Sequence, residues 1–274
     1  MVEGSAAVSF YVRDGATALS HLYQSDPLRV LFPRPEPREP ATGVLVTTSG
    51  GLVGGDRLDV TVTSGAGAAG RVLGQAAEKI YRTTGEDSHI NIRLEVERDG
   101  WLEWLPQETI VFENARLRRL TVANVAPGAR LLAGEIIVFG RTAMGERVTK
   151  GLVREAWDIY RDGRLVWADA VHVDEALKQT LGAASGFDGA VAFASLVYVG
   201  DDAADRLEVV RELLREAGEN SELRTGATQL GDVLVVRWLG RKTSRLRQAY
   251  GEFWAAFRHR LAGYPRTMPR LWHI

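Results

Sequence analysis

The chain has no cysteine among its 274 residues. That absence excludes disulfides, thiolate metal sites and a cysteine nucleophile together, and it fits a reducing compartment. Long hydrophobic runs are missing too. The longest, Ala190 to Val199, holds ten residues, about half of what a membrane-spanning helix needs. The first fifteen residues show no basic segment followed by an apolar one, so no secretory leader is expected. Nor is there an excess of charge of one sign. Lys and Arg total 34 against 35 Asp and Glu, which argues against a general nucleic-acid binder. The five histidines never fall at H-x-H or H-x-x-x-H spacing, so no resident transition-metal site is signalled. No G-x-S-x-G elbow is present either. The expectation is a cytoplasmic protein with no membrane partner, no nucleic-acid partner, no catalytic residue set and no tightly bound cofactor.

What the chain does have is glycine in clusters. Thr47 to Leu58 reads TTSGGLVGGDRL. Gly50 and Gly55 have the spacing of a phosphate-binding loop, but that loop needs a lysine next, to meet the phosphate charge. Here the next residue is Asp56, which repels phosphate. A second cluster, Gly65-Ala-Gly-Ala-Ala-Gly70, matches the dinucleotide fingerprint in letters only. The strand before it alternates with threonine, and Gly74 spoils the helix that should follow. Both clusters read as turns, the second as a tight hairpin.

Alternation of apolar and polar residues marks strands at Val8–Val12, Gly43–Thr47, Leu58–Thr63, His89–Glu97, Leu117–Val125, Arg130–Val138, Leu152–Tyr160 and Arg164–His172. Arg-Asp-Gly at 98–100 and 161–163 reads as two hairpin turns. No internal repeat is evident. Two late segments have helical spacing. Ala204–Ala217 stops at Gly218, and Ser244–Leu261 carries Leu246, Tyr250, Phe253, Phe257 and Leu261 on one stripe. Phe32 to Pro40 holds four of the nine prolines and reads as an extended loop. The predicted fold is mainly β: a helically wound, largely antiparallel scaffold over about residues 5–200, and a part with two α-helices over 201–274, in one domain.

Two features carry chemistry. Acids in apolar or glycine-rich surroundings, Asp56, Glu78, Glu103, Glu108, Glu113 and Glu135, are costly unless paired or hydrated. They are either solvent-facing or the lining of a polar passage. From Arg237 to the end there are nine basic residues and one acid, Glu252, which leaves +8 over that segment. Arg241, Lys242, Arg245 and Arg247 are therefore candidates for docking an acidic partner.

Several blocks together resemble a known family. They are Ser49-Gly-Gly-Leu-Val-Gly-Gly-Asp-Arg-Leu58, Ala77-Glu-Lys-Ile-Tyr-Arg82, Leu102-Glu-Trp-Leu-Pro-Gln-Glu-Thr-Ile-Val-Phe112, Gly134-Glu-Ile-Ile-Val-Phe-Gly-Arg141 with Gly145-Glu146, and Pro269-Arg-Leu-Trp272. This series resembles the UreD (UreH) urease accessory proteins and spans nearly the whole chain. One departure is that Thr47-Thr48-Ser49 stands where the family often has His-Pro-Pro. The resemblance implies a non-enzymatic scaffold that binds apo-urease and UreF, and through UreF the GTPase UreG. It also implies transient Ni²⁺ passage, for which Asp56, Glu78, Glu108 and Glu135 are the candidates. Oxygen ligands suit such a passage because they hold a borderline metal weakly enough to release it. The competing readings are a nucleotide-dependent or hydrolytic enzyme using the glycine loops, and a nickel-storing metallochaperone.

Overall fold

The fold was obtained as a computed structural model that describes residues 1–141, 144–218 and 221–273. After an opening strand β1 (Glu3–Arg13), the chain adds a hairpin partner β2 (Ala16–Gln24). The short β3 (Leu28–Leu31) and β4 (Ala41–Thr47) follow. The body is then built by strands that alternate between two sheets. Strands β5 (Arg57–Ser64), β8 (Ser88–Val96), β11 (Arg116–Val125) and β13 (Leu152–Arg161) lie in one sheet. Strands β6 (Ala69–Gly74), β9 (Trp101–Leu105) and β12 (Arg130–Phe139) lie in the other. Because each sheet receives every second strand, neighbours within a sheet run the same way. β5–β8, β8–β11 and β11–β13 are parallel, as are β4–β6, β6–β9 and β9–β12.

This corrects the expectation of a largely antiparallel scaffold. The sheets are mixed, and the winding is solenoid-like. Arg98–Gly100 turns the chain from β8 to β9 across the sandwich, not into a hairpin. Residues 65–68 do the same between β5 and β6, and Ala69 and Gly70 already belong to β6. Asp99 has φ 59°, as a tight turn demands, but a turn fixes only reversal of direction and leaves pairing open. Arg161–Gly163 does close a hairpin, between β13 and β14 (Arg164–Asp174). The winding also contains the repeat that the sequence hid. Arg57 pairs in register with His89, and His89 with Arg118. Successive coils therefore differ in length, and no fixed period survives in the sequence.

Short strands β7 (Glu78–Ile80) and β10 (Thr109–Val111) pair beside β12; β7 carries Glu78, and Glu108 directly precedes β10. Then come a short helix α1 (Leu177–Gly182), β15 (Ala192–Val199), α2 (Ala203–Glu216), β16 (Leu223–Leu230), β17 (Val233–Gly240) and α3 (Thr243–Ala262). The two expected helices are present, and α1 is additional. β15, β17 and β16 extend the second sheet in antiparallel fashion. Its outer face is covered by α2 and α3, where Tyr250, Trp254 and Phe257 join Trp238 and Tyr198 in a second core. The first core fills the space between the sheets with aliphatic residues from their inward faces. No helix among the described residues is long and apolar enough to cross a membrane.

Candidate functional site

The glycine loop is held by its own acid. Asp56 is 3% exposed, and its Oδ1 and Oδ2 accept from the amides of Val2 (2.8 Å) and Val53 (2.9 Å). A Cβ at Gly51 would stand 2.7 Å from the Lys79 carbonyl oxygen, and one at Gly54 would stand 2.6 Å from the Glu86 carbonyl. The glycines therefore let chain segments approach closely. Asp56 is a staple for the turn.

Glu78 sits differently. Beneath the loop, a cleft of about 280 Å³ is lined by Thr47, Gly51, Glu78, Gln107, Thr109 and Arg119, among others. Thr47, the first of the three residues in place of His-Pro-Pro, donates its hydroxyl to Glu78 Oε2 at 2.6 Å. Burial pushes the Glu78 carboxyl above its ordinary range, against the hydrogen bonds from Thr47 and the Lys79 amide and the positive charges of Arg119 and Lys79. Glu108 lies alongside, its carbonyl accepting from the Glu78 amide at 2.9 Å. Its side chain turns the other way, to Arg247 Nη1 at 2.9 Å.

Arg119 forms part of the cleft wall and holds two buried acids behind it. Its Nη1 donates to Thr109 Oγ1 (2.8 Å), its Nη2 to Glu135 Oε2 (2.9 Å) and its Nε to Glu155 Oε2 (2.6 Å). Trp157 Nε1 supplies a further donor to Glu135 Oε1 at 2.9 Å. Burial drives the Glu155 carboxyl well above the usual range. The Arg119 charge opposes that shift, and the Glu135 charge adds to it. Two carboxyls against one guanidinium leave this cluster one positive charge short.

The four candidate acids therefore do not converge. Glu135 is ion-paired to Arg119, whose charge also acts on Glu78, whereas Glu108 is paired toward α3 and Asp56 serves the turn. Among the described residues, no group of three His, Asp or Glu side chains is placed to hold a metal ion. Sequence reasoning missed Arg119 and Glu155, though a signal existed. In β11 the buried phase is Leu117, Arg119, Thr121, Ala123 and Val125. An arginine in that phase needs an internal acid.

The basic segment also divides. Arg241 pairs with Asp188 (2.9 Å) and Lys242 with Glu222 (2.7 Å), both at the surface. Arg245 donates to Gln248 Oε1 at 3.4 Å. Arg247 is largely taken up within the chain. It turns inward to Glu108 and Gln107, donates to the Trp272 carbonyl and stacks over the Trp272 ring at 4.7 Å. It thereby pins the chain's final turn to α3. Arg260, Arg266 and Arg270 are exposed.

Comparison with known proteins bears on the same span. The family model described as UreD urease accessory protein matches residues 2–273. The chain is similar to a urease accessory protein UreD of Magnetococcus marinus, with 47% identity over all of this chain and 94% of the relative. It is also similar to urease accessory protein UreD 2 of Methylorubrum populi, with 42% identity over 94% of this chain and 84% of the relative. A UreD from Methylobacterium sp. (strain 4-46) is 40% identical over 95% and 90%.

Proposed function

The chain belongs to the UreD family of urease accessory proteins, and on that footing we propose that it is a non-enzymatic maturation scaffold in the cytoplasm. In this reading it binds apo-urease and UreF, engages UreG through UreF, and lets Ni²⁺ pass to the urease active site as cargo. The observation that supports passage is Glu78. Of the four candidate acids it alone combines a place in an open cleft with the lack of an ion-pair contact. A carboxylate in the wall of an open cleft attracts a divalent ion, and as a hard oxygen ligand it lets a borderline metal go. The acids behind it, Glu135 and Glu155, are bound to Arg119 and serve to hold the wall.

Docking falls to the exposed basic residues at the start of α3. Reversing Arg241, Lys242 and Arg245 to Glu should weaken the complex with UreF and apo-urease by about tenfold at low salt. Circular dichroism should stay native, since acids suit a helix N-terminus. Titration calorimetry or analytical ultracentrifugation reads the outcome. Unchanged affinity with native spectra would remove α3 from the interface.

A further inference from the structure

The cleft beneath the glycine loop offers a cation few side-chain donors. Among the described residues no histidine lines it, and the chain has no cysteine. Arg119 and Lys79 are cations themselves. Gln107 has both ends of its amide engaged within the chain: Oε1 accepts from Arg247 Nη2 at 2.7 Å, and Nε2 donates to the Leu271 carbonyl at 3.0 Å. Thr109 accepts from Arg119. With Gln75 exposed at the surface, what remains inside is Glu78 and the side chain bonded to it, Thr47.

Thr47 ends β4, opposite Leu28 in the ladder with β3, so its backbone is held in place. Its hydroxyl oxygen lies 2.6 Å from Glu78 Oε2, with only the hydroxyl proton between them. A hydroxyl has lone pairs as well as a proton, and it rotates to present either. Adjacent oxygen ligands of a small octahedral divalent ion stand about 3 Å apart. The two oxygens need part only slightly for such an ion to take the proton's place.

We propose that Thr47 is the second oxygen donor of the Glu78 site and sets how long the ion stays. The inference rests on the reading of Glu78 as a station for passing Ni²⁺, and it names the residue that keeps the station a passing place. Carboxylate and hydroxyl are both oxygen ligands, which suit ions such as Mg²⁺ and Mn²⁺, whereas imidazole suits nickel. The positive charges of Arg119 and Lys79 act on the Glu78 carboxyl and weaken the hold on a further cation. Such a site yields its ion to an acceptor that offers nitrogen.

Equilibrium dialysis of the full chain against Ni²⁺ tests this, with circular dichroism as the check on folding. Thr47→Val keeps the shape and removes the hydroxyl, and it should bind nickel about tenfold more weakly than the wild type. Thr47→Ser should bind as the wild type does. Thr47→His should bind about tenfold more tightly, and the gain should vanish when Glu78→Gln is added, because both side chains hold one ion. During urease maturation Thr47→His should deliver less nickel even though it binds more. Undiminished binding by folded Thr47→Val, no gain in folded Thr47→His, or a gain that survives Glu78→Gln overturns the role of Thr47 and leaves the reading of Glu78 standing. Equal binding by the wild type and Glu78→Gln overturns that reading, and this inference with it.

Discussion

Arg258→Met should destabilise the folded chain by about 3–5 kcal/mol. Arg258 lies on α3 and is 1% exposed. Its Nε donates to Glu103 Oε1 at 3.0 Å. Its Nη2 and Nη1 grip both oxygens of Glu39 at 2.6 and 3.0 Å, and Nη1 also reaches the Pro265 carbonyl at 3.2 Å. Arg71 supplies the balancing cation, with Nη1 2.7 Å from Glu39. Two acids and two arginines thus close a neutral buried network that ties α3 to β9 and to the proline-rich loop. Removing Arg258 leaves Glu103 buried with Trp101 Nε1 as its remaining donor, at 3.0 Å, and Glu39 with Arg71. A buried charge that loses its partner costs far more than the pair contributed. Arg258→Lys should recover only part of the loss, because an ammonium cannot span three acceptors as a planar fork does. Urea denaturation of the three proteins checks both statements. A loss below about 1 kcal/mol for Arg258→Met would mean that the network is solvated.

The second large effect should be pH-dependent. Arg119→Met takes the cation from Glu135 and Glu155 together, and at pH 7.5 it should cost about 3–5 kcal/mol. The sign of the pH dependence follows from the carboxyls. Burial already holds Glu155 well above its ordinary range, with Arg119 pulling the other way. Without Arg119 the folded-state shift grows, while the unfolded chain titrates near the ordinary glutamate value of about 4.3. A carboxyl raised in the folded state takes up its proton there first, so stability increases as pH falls through the folded range. The cost of Arg119→Met should therefore shrink between pH 7.5 and pH 5.5. Denaturation at the two pH values decides this. A cost that is equal or larger at the lower pH would mean that the two acids are hydrated.

These two arginines also mark where sequence reading ends. Period-2 alternation gave His89–Glu97 and Leu117–Val125 as strands, because each strand of a two-layer sandwich has one buried face. The stripe Leu246, Tyr250, Phe253, Phe257, Leu261 gave α3 for the corresponding reason. Whether neighbours run parallel was not legible, since a turn such as Arg98–Gly100 looks the same whether it closes a hairpin or crosses between sheets. Arg258 read as one more arginine beside that stripe. Its acids lie 155 and 219 positions away, and nothing local announces them. Arg119 was legible in principle, from its phase in β11, and its demand for an internal acid could have been inferred. Arg247 is the opposite case. Its charge suggested a docking surface, yet its place one turn before Tyr250 and Gly251 directs it onto Trp272. Gly251 has no Cβ there, and an added one would stand 2.6 Å from the Trp272 ring nitrogen. The carboxylates were singled out by an apolar context, which is a good sign of burial and a poor one of function. Asp56 and Glu108 turned out to be held by the backbone and by Arg247.

The role of Glu78 is open to one direct measurement. Urease is matured at limiting nickel with UreF, UreG and either the wild-type chain or Glu78→Gln, and the nickel bound per urease active site is counted by mass spectrometry. The substitution keeps an acceptor for Thr47 and removes a charge that burial disfavours, so the variant should fold and assemble as the wild type does. The account predicts that the complex is intact and that the nickel content of urease falls severalfold. An intact complex that delivers as much nickel with Glu78→Gln as with glutamate would contradict it.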